Sequence, residues 1–210
     1  MMKPAAFGIR MHSGWGVLVT VTDSVEVLDR RRIAVVSGDA PGGKMPFHHA
    51  EGLGLPRAQK YLANYTAECD RQARQEIARA LDDVKARGYN VTSAGLVLAS
   101  GRTLPDLAHI LAAHPLIHTA EGELFRDTVR RACESLALPV LGYRERDLPE
   151  CASKLLGNAS PKIIRQLAGM GKTLGPPWTA DHKSAALAAC LALHAKLRHA
   201  EASLRPTVSP

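Results

Sequence analysis

No apolar run in this chain approaches the roughly 20 residues that a membrane helix needs, so no bilayer-spanning segment is expected. The N-terminus has one Lys and no long hydrophobic stretch, so no secretory signal is expected either. Cysteine is sparse: Cys69, Cys133, Cys151 and Cys190 are widely spaced and form no CxxC pair. That argues against a disulfide framework or a zinc ribbon and points to a reducing, cytoplasmic compartment. Aromatics make up only 4% of the residues, which weakens single-strand binding by base stacking. Two common catalytic signatures are also missing. Gly169-Met170-Gly171-Lys172-Thr173 ends like a phosphate-binding loop but lacks the upstream Gly and follows a helical segment rather than a strand. No Gly-x-Ser-x-Gly elbow occurs.

What is present suits an ordinary globular chain. Its 210 residues, 46% hydrophobic and 22% charged, suffice to bury a full core without metal or disulfide staples. One domain over 1–203 is expected, with a flexible tail at 204–210. The formal charge is +7, an excess that draws a protein toward nucleic acid or another polyanion. The basic residues form no dense tract. Arg30-Arg31-Arg32 is the sole triplet, and a solvated strand end is its expected role.

Hydrophobic periodicity divides the chain further. Ala6–Met11, Trp15–Val21 and Val25–Val36 read as three strands, with hairpin turns at Ser13-Gly14 and Asp23-Ser24. Residues 37–56 read as a long Gly/Pro-rich loop. From Pro56 to Arg87, the apolar positions Leu62, Tyr65, Cys69, Ala73, Ile77, Leu81 and Val84 recur every three or four residues, the mark of an amphipathic helix. Val91–Ser100 is an apolar strand, Leu104–Ala113 a short helix, and His114–Thr119 a loop. Thr119 is read as the N-cap of a helix reaching Leu136, with Glu121 and Glu123 in its first turn. Leu138–Tyr143 is the fifth strand. Short helices at Leu148–Leu156 and Pro161–Leu167 precede a long Ala-rich helix from Asp181 to about Ala202.

The order β-β-β-α-β-α-β-α resembles that of the ribonuclease H-like superfamily, an α/β fold with a five-stranded mixed sheet flanked by helices. Two end motifs narrow the resemblance to the RuvC-type Holliday junction resolvases. These are the strand–turn–strand at Gly8-Ile9-Arg10-Met11-His12-Ser13-Gly14-Trp15-Gly16 and the helix opening at Asp181-His182-Lys183-Ser184-Ala185-Ala186-Leu187-Ala188-Ala189. The family implies an acid on the first strand, one at the end of the fourth, and two on the last helix. Such acids hold the two magnesium ions of a phosphodiesterase. Here Arg10 stands at the strand position, Ala99-Ser100-Gly101 at the second, and Ser184 at the last, leaving Asp181 alone. One acid cannot hold two magnesium ions, and Arg10 would repel them and pair with Asp181. The expected protein is therefore not a standard two-metal nuclease. It is expected to bind nucleic acid or a phosphate ligand, with homo-oligomerisation left open. The alternative is a hydrolase-type enzyme with a re-tooled His/Glu/Arg site, its cofactor unknown.

The candidate ligand-binding residues are Arg10, His12, Ser100, Arg102, Asp181, His182 and Lys183, placed at the carboxyl edge of the parallel strands and at helix N-termini that favour anions. His118 and Glu121 are the candidate catalytic pair. His114 and His118, at i and i+4, could join Glu121 in a metal triad, but Pro115 is expected to break the helix needed to align them, so no metal site is expected. His48-His49 with Glu51 falls in the long loop and carries no assigned role.

Overall fold

The structure is a computed structural model, and it describes residues 2–99 and 103–203. Three strands come first: β1 (Lys3–His12), β2 (Trp15–Thr22) and β3 (Val27–Ala34). They form an antiparallel meander, with Arg10 opposite Val17 and Leu18 opposite Arg31. β4 (Tyr89–Leu98) then pairs parallel to β1, and β5 (Val140–Arg144) parallel to β4. The sheet order is β3-β2-β1-β4-β5, so the fold is α/β with the five-stranded mixed sheet that the element order implied.

Strand alternation sorts side chains between two helical layers. Phe7, Ile9, Met11, Leu18 and Ile33 face α2 (Leu55–Ala86) and α4 (His114–Ser135). Of the periodic positions on α2, all but Leu81 are buried, and Leu81 packs against the same core. Ala6, Val17, Val19, Val21 and Val97 face the other layer. That layer contains α5 (Leu148–Leu156), α6 (Ser160–Gly169), α7 (Gly171–Leu174) and α8 (Ala180–Ser203). Its centre is α8, whose residues 185–193 are all buried. Gly8 and Gly95 let it seat: a Cβ at either would overlap the carbonyl of Ala185 or Ala188.

Three expectations need correction. Residues 37–56 are not all loop, because α1 (Pro46–Glu51) lies within them and α2 opens at Leu55. Pro46 suits a first helical turn, and Phe47 and Ala50 pack beside Leu62 of α2 and Leu107 of the short helix α3 (Leu107–Leu111). Tyr61 and Tyr65 of α2 donate hydrogen bonds to the carbonyls of Pro41 (2.7 Å) and Gly43 (2.5 Å), tying the rest of that segment down. Second, α4 starts at His114 rather than Thr119. Pro115 begins the helix instead of breaking it, because the N–H it lacks has no partner in a first turn anyway. Thr119 donates back to the Pro115 carbonyl at 2.9 Å, a mid-helix bond rather than a cap. Third, Arg30, Arg31 and Arg32 lie inside β3, and each is engaged. Arg30 donates to the carbonyls of Leu174, Gly175, Pro176 and Pro177. Arg31 pairs with Asp29 and Asp83, and Arg32 lies 4.4 Å from the Trp15 ring centroid. The expected tail at 204–210 is outside the described residues.

Candidate functional site

The candidate residues separate into two groups. The first lies at the carboxyl edge of the sheet, on the α8 side. Arg10 and His12 point there from alternate positions of β1, and Asp181 from the first turn of α8. Glu145, one residue beyond β5, completes the group. The Arg10 guanidinium donates to Glu145 through Nε and Nη2, both at 3.1 Å, and Nη1 lies 2.8 Å from Asp181 Oδ1. His12 Nε2 is 2.9 Å from Asp181 Oδ2 and 3.0 Å from Arg10 Nη1. It can serve only one at a time, donating to Asp181 when it carries a proton and accepting from Arg10 when it does not. The anticipated pairing of Arg10 with Asp181 is thus present, and Glu145 strengthens it in forked geometry.

This group continues along β2 and β3. The His12 ring stacks on Trp15 with centroids 4.4 Å apart, and Arg32 covers Trp15 at the same distance. A cavity of about 300 Å³ beside them is lined by Trp15, Arg30, Arg32, Pro177, Thr179 and His182, among others. His182 is buried, and its Nδ1 accepts from the Thr179 hydroxyl (2.8 Å) and backbone N–H (3.3 Å). Burial, then the neighbouring Arg30, holds the imidazole below its ordinary value, with Asp181 opposing. Lys183 faces a different cavity of about 220 Å³, where it meets Glu145, Leu148, Ile164 and Leu187. Ser100 and Arg102 lie outside the described residues.

The second group sits in the opposite layer, on α1 and α4. Because α4 opens at His114, His114 and His118 are one turn apart on one face, and their Nε2 atoms lie 3.1 Å apart. His48 of α1 closes the triangle. Its ring centroid is 5.0 Å from that of His114 and 4.7 Å from that of His118. One ring nitrogen from each residue lies within 4.8 Å of the others. Glu121 is buried on the second turn of α4. Its Oε1 accepts from His48 Nδ1 at 2.8 Å and from the His48 backbone N–H at 3.3 Å. Glu121 therefore serves His48, not His118. Glu123 pairs with Arg126 at 2.9 Å.

No hydrogen bond or ion pair joins the two groups among the described residues. His48 and Glu145 were not anticipated. The signal for His48 was Pro46-Phe47-His48-His49-Ala50, a helix-opening Pro with apolar residues at i and i+3. Glu145 had none beyond its place after the fifth strand.

No family model matches this chain, and no curated protein does. Among solved structures, it is similar to RuvC from Thermus thermophilus, once in complex with a Holliday junction substrate and once alone. Identity is 14% and the TM-score 0.48 in both cases. The match covers 92% of this chain and 95% or 96% of theirs.

Proposed function

We propose that this protein binds nucleic acid, or another polyanion carrying phosphates, through the carboxyl edge of its sheet, without two-metal cleavage. The observation that carries this is Arg10. Its guanidinium occupies the strand position and engages Asp181, the one acid retained from the expected set. A cation there repels magnesium but attracts the phosphate that magnesium would have held. Glu145 is half-exposed, so an incoming phosphate oxygen can displace it from Arg10. The Arg32–Trp15–His12 stack beside it supplies a second contact, an aromatic face against a guanidinium and an imidazole. The net charge of +7 supplies long-range attraction.

The test is fluorescence anisotropy with labelled duplex and four-way-junction DNA across a salt series. Binding is expected at low salt, with log affinity falling linearly as log salt rises. Arg32→Ala should flatten that slope by about one phosphate contact. Magnesium or manganese should produce no cleavage. Absence of binding at low salt overturns the proposal, and cleavage abolished by Asp181→Asn overturns its second half.

A hydrolase-type activity is favoured by one observation, the convergence of His48, His114 and His118 above the buried Glu121 carboxylate. In that case the open face of the His group would meet substrate, and Glu121 would act through His48.

A further inference from the structure

We propose that His48, His114 and His118 form a binding site for a single transition-metal ion of the zinc class, with Glu121 orienting the first ligand. This goes beyond polyanion binding and rests on different residues in the opposite layer of the fold.

The donor set comes first. Imidazole nitrogen suits zinc, copper, nickel and iron, and is a poor match for magnesium or calcium. Three nitrogens at about 2.0–2.1 Å from a tetrahedral zinc ion lie roughly 3.3 Å from one another. The His114 and His118 Nε2 atoms are already 3.1 Å apart, and all three donor atoms fall within 4.8 Å.

The second observation is the tautomer of His48. Glu121 accepts the Nδ1 proton, so the lone pair of neutral His48 resides on Nε2. That Nε2 atom is buried and has no hydrogen-bond partner, the cost of which a metal ion would remove. A carboxylate gripping the far nitrogen of a ligating His is the usual support of such sites. The third observation is the charge of Glu121. Its side chain is 5% exposed, and His48 is its sole ion-pair partner among the described residues. Burying a carboxylate is costly unless it is paired, and a divalent ion one imidazole away offsets that cost.

His48 is half-buried, whereas His114 and His118 are exposed. An ion held by these three nitrogens would keep a fourth coordination position, and the exposure of His114 and His118 leaves solvent access to it. It would take water or an anionic oxygen, the arrangement of a reactive rather than a purely structural zinc site.

The experiment is titration of the full chain, stripped with a chelator, by zinc chloride in a calorimeter, with cobalt(II) absorption in parallel. One equivalent of zinc is expected to bind, and cobalt should give the visible bands of a four- or five-coordinate ion. His114→Ala and His118→Ala remove exposed ligands and leave the core intact, and each should weaken binding by at least about 100-fold. Glu121→Gln should weaken it by about 10–100-fold. His49→Ala, on the next position of α1 with its ring against Tyr61, should leave binding unchanged. No stoichiometric binding by the wild-type chain, or binding that survives both exposed His substitutions, overturns the proposal. If Glu121→Gln fails to fold, the His118→Ala titration decides. DNA binding has no bearing on any of these outcomes.

Discussion

Arg10 alone makes the sheet edge two charges less negative than an acid in its place would. An acid in its place would add to Asp181 and Glu145 and make a cage for cations; the guanidinium instead pairs with both and offsets one of their two charges. Its partners are partly exposed, so the gain in stability is modest, and its consequence is for ligand sign. Two positions earlier, Gly8 acts through the absence of a side chain. The Ala185 carbonyl occupies the space a Cβ would need, and neither the central strand nor the buried α8 can yield cheaply. Gly8→Ala is expected to destabilise by about 3 kcal/mol or more, at the upper end of overpacking costs. Urea denaturation measures it, and a loss below about 1 kcal/mol would mean that α8 is not seated as described.

At the scale of the element, helix starts do most of the positioning. Pro46 and Pro115 open α1 and α4, and those two starts bring three imidazoles together. The start of α8 is held differently, by His182 against Thr179 and by Arg30 gripping the carbonyls of the segment before it. This makes the α8 start sensitive to acid. The folded state holds the His182 value down, mainly through burial, so the unfolded chain, titrating near about 6.5, takes up the proton more readily. The stabilisation is complete above about 6.5 and is lost progressively as pH falls from there toward the lowered value. Denaturation midpoints should therefore drop as pH falls through and below about 6.5. His182→Asn should be less stable at pH 7 and show a smaller drop. An equal drop in the variant would assign the acid sensitivity elsewhere.

Over the whole molecule, the two candidate sites occupy opposite layers, and the sheet between them is lined on both faces. The thiols report on both. Cys69 and Cys133 lie in the α2/α4 layer and Cys190 in the α8 layer, each pushed up to about 12, chiefly by burial. Cys151 of α5 is partly exposed. A thiol reagent at neutral pH should modify Cys151 quickly and the other three only at the rate at which the layers open. Peptide mapping of a timed reaction checks this. Rapid modification of Cys190 in the native protein would contradict the packing of α8.

The layered sheet was legible without coordinates because period-two and period-3.6 patterns report burial directly. The α2 stripe, the meander and the Ala-rich final helix all carry such patterns. That Arg10 and Ser184 stand where the resemblance leads one to expect acids was legible too, since it needs only position along a strand and a helix. The His group was not. Pro115 reads equally as a helix breaker or a helix opener, and packing of α1, α3 and α4 around Phe47 and Ile117 decides for the opener. His48 is 66 residues from His114 along the chain, and no local periodicity encodes that distance. Glu121 is in the same position: as an acid on an amphipathic helix it reads as solvated, and only the docking of α1 buries it against His48. Local patterns carry the elements because they arise from interactions within a few residues, whereas the sites arise where elements distant in sequence meet.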